Sequence, residues 1–200
     1  MNDECGMMSA ESAMIISSFI IHHSSFIIHH SKRWDSMSNF KQKNHLPYTF
    51  RLISWRKQSV NLDIGGGQFN LATDYLAKHG VRNLVYDPFR RGAEHNDLIL
   101  KLVDENPVDT VTVNNVLNTI REESERLKVI RLAAKALKPG GTAYFLIHEG
   151  DRSGLGCLTL FCWQNNMRTD AYLSEISRYF KSVRISRNLI IAGIPHDYQE

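Results

Sequence analysis

VNLDIGGGQFNLATDYLAKHGVRNLVYD, residues Val60 to Asp87, reads as a strand, a glycine turn, a helix, a second strand and an acid. Leu62 and Ile64 form a short apolar run that meets Gly65, Gly66 and Gly67. Three glycines there allow positive φ and let the backbone come close to a ligand. Leu71, Tyr75 and Leu76 recur at helical spacing, and Gly80 follows them in the position of a C-terminal cap. A second apolar run, Leu84-Val85-Tyr86, closes on Asp87. A βαβ unit of this kind puts its glycine turn at the carboxyl edge of a parallel sheet, where open α/β folds hold their ligands.

The residues around the glycines narrow the ligand. A dinucleotide fingerprint needs G-x-G-x-x-G/A, and counted from Gly65 its third position falls on Asn70. Asp63 sits two residues before Gly65, where a carboxylate would repel a pyrophosphate but suit a ligand carrying an ammonium and a sulfonium. In Asp63, Gly65 and Gly67 the chain resembles the class I S-adenosylmethionine-dependent methyltransferases, whose first motif is an acid followed by spaced glycines. Phe69 stands where that motif has its last glycine.

Later stretches follow in the order the resemblance requires. Asp109 to Ile120, DTVTVNNVLNTI, opens on an acid, continues through Val111 and Val113 as a buried strand, and meets Asn114 and Asn115. It is similar to the family's fourth motif, and the two asparagines could also serve only as turn residues. Residues 121 to 137 form the clearest helix, with Leu127, Ile130, Ala134 and Leu137 on one face. Pro139-Gly140-Gly141 and an apolar strand from Thr142 to Ile147 come next, a combination common in these enzymes. That strand exits on His148, Glu149 and Asp151, titratable groups at the ligand edge and so candidate catalytic or substrate-binding residues, although a solvated loop could carry the same residues. Tyr172, Leu173, Ile176 and Phe180 predict an amphipathic helix over 170 to 180. Ser182 to Ile185 and Leu189 to Ile194 predict a terminal hairpin turning through Ser186-Arg187-Asn188.

The resemblance covers about residues 58 to 194. It implies a Rossmann-like α/β three-layer sandwich, mostly parallel, with a C-terminal antiparallel hairpin. Between Asp87 and Asp109 only 21 residues intervene, with Leu98, Ile99, Leu102 and Val103 as the stripe of one helix, so the sheet is expected to lack one edge strand. The cofactor implied is S-adenosyl-L-methionine. Asp63 would hold the amino group of its methionine part, and Gly65, Gly66 and Gly67 would pass beside it. Asp87 would take the ribose hydroxyls in a bidentate contact, Phe89 would lie against the adenine, and Asn114 and Asn115 would stand near the methionine end. The implied reaction is methyl transfer by direct displacement to an unidentified acceptor, which could be a small molecule, a protein or a nucleic acid. No Pro-Pro follows Asn114 and Asn115, so amino methylation of a base is unsupported. The other readings are a non-catalytic S-adenosylmethionine-binding module and an NAD(P)-dependent oxidoreductase.

Composition bounds the rest. A chain of 200 residues, 42% apolar, fits one domain with a core, and 24 basic against 21 acidic residues argue for neither nucleic acid nor membrane. Three cysteines, Cys5, Cys157 and Cys162, contain no CxxC pair, which suits packed thiols in a reducing cytoplasm. SSFIIHH occurs twice in tandem from residue 17, and its apolar runs are too short to span a bilayer. Its four histidines are read as a low-complexity tail rather than a metal tract, and no metal site is assigned. Residues 1 to 33 are expected to be dispensable and to lie upstream of the true start, with Met37 a candidate. Residues 34 to 59 are basic and aromatic, a mixture that suits single-stranded nucleic acid or, as the preferred reading, a segment that packs its rings on the domain at 60 to 200.

Overall fold

A computed structural model of the chain describes residues 45–160 and 162–196, all within one compact unit. The histidine repeat, Cys5, Met37 and the basic aromatic residues up to Lys43 lie outside the described residues. The elements run α1 (Thr49–Leu52), β1 (Val60–Ile64), α2 (Leu71–Lys78), β2 (Arg82–Tyr86), α3 (Ala93–Glu105), β3 (Val108–Asn114), α4 (Glu123–Ala136) and β4 (Leu137–Leu146). A small hairpin of β5 (Cys157–Leu158) and β6 (Trp163–Gln164), α5 (Leu173–Ile176), β7 (Phe180–Ser186) and β8 (Leu189–Pro195) complete them. The main sheet has the order β2-β1-β3-β4-β8-β7. The first four strands are parallel, and β8 is antiparallel to both β4 and β7. This is the Rossmann-like sandwich with its terminal hairpin, and β2 is the outermost strand on its side, so the extra edge strand is missing.

Period-two alternation separates the two faces. Leu62, Ile64, Val111, Val113, Ala143 and Phe145 point to one face, where Ile99 and Val103 of α3 and Ile130 and Ala133 of α4 complete the main core. The opposite face carries Asn61 and Asp63 of β1 and Thr112 of β3. There α2 supplies Ala72 and Leu76, which pack with Val81 and Phe50 in a second cluster, and Trp55 stacks on Phe50. The packing role expected for the aromatic pre-core residues therefore holds for Phe50.

Local chemistry explains the ends of the elements. Gly80 takes φ +71 and Val81 N–H reaches back to Leu76 O at 3.0 Å, the closing bond of a Schellman turn, which stops α2 where Gly80 predicts. At the amino edge Asp109 accepts from Val60 N–H at 2.8 Å and pairs with Arg56 at 2.6 Å and Lys138 at 3.2 Å, fastening the starts of β1, β3 and β4 together. Burial alone would raise its carboxyl, but the Val60 N–H and these cations hold it below the usual range.

Three expectations change. Leu98 is 55% exposed, and the inward stripe of α3 is Asn96, Ile99 and Val103. The helix expected over 170 to 180 is a 3-10 turn at Thr169–Tyr172 followed by one turn of α5, with Phe180 already in β7. Cys157 is exposed rather than packed, and its strand β5 pairs with β6 in a separate two-stranded sheet.

The short α5 is held by charge. Arg126 of α4 meets Glu175 through Nε at 2.9 Å and a terminal nitrogen at 2.6 Å, with both side chains under a tenth exposed. The other terminal nitrogen donates to Ile120 O and Arg121 O. Removing one member of such a pair leaves a buried charge without its counterion. Arg126→Leu is therefore expected to lower the urea unfolding free energy by about 3–5 kcal/mol. The double change Arg126→Leu with Glu175→Leu recovers most of that loss; an equal loss in both would show that the pair is not what holds α5.

Candidate functional site

Strand order reverses between β1 and β3, since β2 lies on one side of β1 and β3 with β4 on the other. That reversal opens the crevice in which open α/β sheets hold ligands. The glycine loop stands over it. Gly65 N–H donates to Tyr86 O at 2.8 Å, tying the loop to the end of β2. Gly65 and Gly67 hold φ +74 and +75, and a Cβ at Gly65 would collide with Val116. A Cβ at Gly66 would fall 2.5 Å from Asp63 Oδ2 and 2.8 Å from Val85 Cγ1. No side chain fits at either position.

Asp63 lies beneath this loop, 2% exposed. Its Oδ1 accepts from the Thr112 hydroxyl at 2.9 Å and from Asn114 Nδ2 at 3.4 Å. The bonding continues along the polar face: Asn61 Nδ2 donates to Thr112 Oγ1 at 3.0 Å and to Asn83 Oδ1 at 2.8 Å, and Asn83 Nδ2 donates to Thr73 Oγ1 at 3.1 Å. Burial pushes the Asp63 carboxyl up to about 7; the Thr112 and Asn114 bonds oppose the rise without cancelling it. Asn114 Oδ1 is buried with no partner, an acceptor left open beside the carboxyl. Asn115, expected beside it, is exposed at φ +55 and donates its N–H to Leu146 O, which makes it a turn residue.

Asp87 ends β2 at the same edge. Oδ2 accepts from Gly67 N–H at 2.8 Å, and Oδ1 from the N–H groups of Phe89 and Arg90 at 3.0 Å each. Burial raises its carboxyl, against the pull of those bonds. A carboxylate offers about four acceptor positions, so roughly one remains, on Oδ2. A single hydroxyl contact fits this arrangement better than the bidentate one. Phe89 is 45% exposed beside it. Arg91, which no motif in the sequence singles out, donates Nε to Gly67 O at 2.9 Å and a terminal nitrogen to Asn70 Oδ1 at 3.2 Å, bracing the loop from outside.

The three candidate catalytic groups separate. His148 is exposed and lines a cavity of about 570 Å³ with Glu149, Gly150, Arg152, Arg168, Arg187 and Asn188. Glu149 is engaged: it accepts from the Thr169 hydroxyl and N–H at 2.7 Å each, and pairs with Arg152 at 2.6 Å. The Thr169 bonds hold its carboxyl below the usual range. Asp151 is fully exposed, bonds Ser153 N–H, and is absent from the cavity wall. Asn165 and Asn166, which follow β6, bond the backbone at Leu117, Ile120 and Leu155.

No family model matches the chain, and no curated protein matches it. Solved structures do. The S-adenosylmethionine-dependent methyltransferase SibL, in its apo form, is 19% identical over 69% of this chain and 51% of its own, with a TM-score of 0.47. TnmH is 16% identical over 90% of this chain and 59% of its own, with a TM-score of 0.49. A TehB-like SAM-dependent methyltransferase from Corynebacterium glutamicum is 17% identical over 84% and 97%, with a TM-score of 0.44. The chain spans about half the length of SibL. Likenesses of this size assign no substrate or activity.

The raised Asp63 carboxyl has a measurable consequence. Unfolded, the group loses its proton near its ordinary value; folded, it keeps it to about pH 7. The stabilising contribution is thus fully present in acid and is lost as pH rises toward 7. Raising a pKa by one on folding corresponds to about 1.4 kcal/mol. Thermal unfolding of the ligand-free protein is expected to show Asp63→Asn gaining on the parent between pH 5 and pH 8. A constant difference across that range would contradict a carboxyl that stays protonated to neutrality.

Proposed function

We propose that the chain binds S-adenosyl-L-methionine over the carboxyl ends of β1, β2 and β3 and transfers its methyl group to an acceptor held beside His148. The observation that carries this is the buried Asp63 carboxyl under a side-chain-free glycine loop, with the unpartnered Asn114 Oδ1 next to it. An ammonium is the group these two acceptors lack, and the cofactor's methionine part has one. An opposite charge at that distance would favour the ionised carboxylate and offset its desolvation. Asp87 Oδ2 would accept one ribose hydroxyl, and exposed Phe89 would cover the adenine.

The bound cofactor would supply an already activated methyl group, and this chain's residues would do the positioning. Neighbouring strands lie about 4.8 Å apart, and only β3 separates β1 from β4, so the strands that lead to the glycine loop and to His148 lie roughly 10 Å apart along the edge. That distance leaves room for the methionine end over β3 and an acceptor over β4. Holding reactants in line can contribute about 7–11 kcal/mol, which explains how so few titratable groups could suffice. His148 would take the acceptor's proton, since Glu149 is committed to Thr169 and Arg152, and Asp151 is not among the residues that line the cavity. Among the described residues no helix is long and apolar enough to cross a membrane. The proposed setting is the reducing cytoplasm, supported by the free thiols Cys157 and Cys162.

Calorimetry with S-adenosylhomocysteine, S-adenosylmethionine, NAD and NADP tests the ligand. The first two should bind, with affinity rising from pH 5.5 to pH 8 as Asp63 ionises, and Asp87→Asn should weaken binding at least tenfold. His148→Ala should leave binding unchanged and lower turnover on any acceptor found. Preference for NAD, or an affinity indifferent to Asp87→Asn, would reject the assignment.

A further inference from the structure

The cavity beside His148 is lined by three guanidinium groups and one carboxylate. Glu149 neutralises one of them only in part. Arg152 reaches Glu149 through Nε at 2.6 Å, and Arg168 reaches Asp170 through Nε at 3.5 Å, and both side chains stay about two-thirds exposed. Arg187 has no ion pair among the described residues. Its position is fixed nonetheless: Asn188 Nδ2 donates to Ile147 O at 3.0 Å, and Ile147 N–H donates to Asn188 O at 2.9 Å, clamping the β7–β8 turn to the end of β4. The Tyr48 hydroxyl holds Asn188 Oδ1 from the other side. Glu149 does the same for Arg168 by fastening Thr169.

Two of these arginines also occupy costly backbone positions. Arg152 and Arg187 hold φ +62 and +59, in the left-handed region that favours glycine and asparagine. At Arg187 the two-residue β7–β8 turn requires this conformation, and arginine stands where such turns favour glycine or asparagine. The volume of about 570 Å³ suits a small molecule, and a cluster of guanidinium forks is suited to an oxyanion taken bidentately.

We infer that this cavity binds an acceptor through a carboxylate or phosphate group, with Arg152, Arg168 and Arg187 as its ligands and the methyl-accepting atom turned toward His148. The anion site stands on the cavity alone, whereas its role as the acceptor site rests on the methyltransferase reading.

The test uses the full chain titrated with inorganic pyrophosphate and, separately, with glutarate, each at constant ionic strength, alongside S-adenosylhomocysteine. One anion should saturate at one site, and the arm that saturates tells phosphate from carboxylate. Arg187→Asn and Arg168→Gln should each weaken that binding at least tenfold while S-adenosylhomocysteine binds as before. Asparagine tolerates the positive φ, so the first variant keeps the turn, and unchanged thermal unfolding confirms it. Parent and variants that respond equally to both anions overturn the site. A parent chain that binds the anion and not S-adenosylhomocysteine leaves the anion site standing and removes its role in methyl transfer.

Discussion

A carboxyl group can be buried under a backbone turn only if its loss of water is offset, and Asp63 imposes that condition on much of the sheet. Its Oδ1 must meet the Thr112 hydroxyl, which fixes β1 against β3 with Asp63 opposite Thr112. A shift of one residue would turn Thr112 to the apolar core and bring a valine under the loop. Thr112 is in turn held by Asn61, and Asn61 by Asn83, so the condition extends across three strands. The same requirement forbids a Cβ at Gly66. It also divides the molecule, because a face carrying these polar groups cannot take a broad apolar helix layer; α3 and α4 pack on the other face.

Much of this was legible because it is local. Leu62 and Ile64 alternating with Asn61 and Asp63 give both the strand and its two faces, and Gly80 marks a helix end through its own backbone freedom. The short link from Asp87 to Asp109 told of the missing edge strand by length alone. Thr110 and Thr112 between valines carried the signal for the partner of Asp63, a polar set at period two inside a buried strand, although the valines alone suffice to identify that strand. Other features are not written locally. Arg126 and Glu175 lie 49 residues apart, and each looks like an ordinary surface charge on an amphipathic helix. The stripe of Tyr172, Leu173, Ile176 and Phe180 satisfies helical spacing, yet a 3-10 turn, a single α turn and a strand bury three of the four equally well. The three N–H groups that fill all but one acceptor position of Asp87 depend on the path of the loop after it, which no spacing rule supplies.

The two edges of the sheet are built on opposite terms. At the amino edge Asp109 collects Val60 N–H, Arg56 and Lys138, so charge there is spent on joining strands. At the carboxyl edge the charged groups outnumber their internal partners. Asp63 has no ion pair, although the Arg91 charge pulls its carboxyl down, and Arg187 has no ion pair either, among the described residues. Arginine in the left-handed region at Arg187 costs about 1–2 kcal/mol, and glycine at either left-handed arginine would cost nothing sterically. The fold has no need of those cations, since Asn188 closes the turn and Glu149 closes the loop at Thr169 without them. What these positions do have in common is the cavity wall. A buried acid over β1 and the guanidinium of Arg187 over β4, neither in an ion pair, leave this edge divided along its length, with acceptors where an ammonium would sit and a cation where an oxyanion would. A ligand pair with those two charges would complete both sites at once, and the separation of the charges sets the order in which the two molecules lie along the sheet.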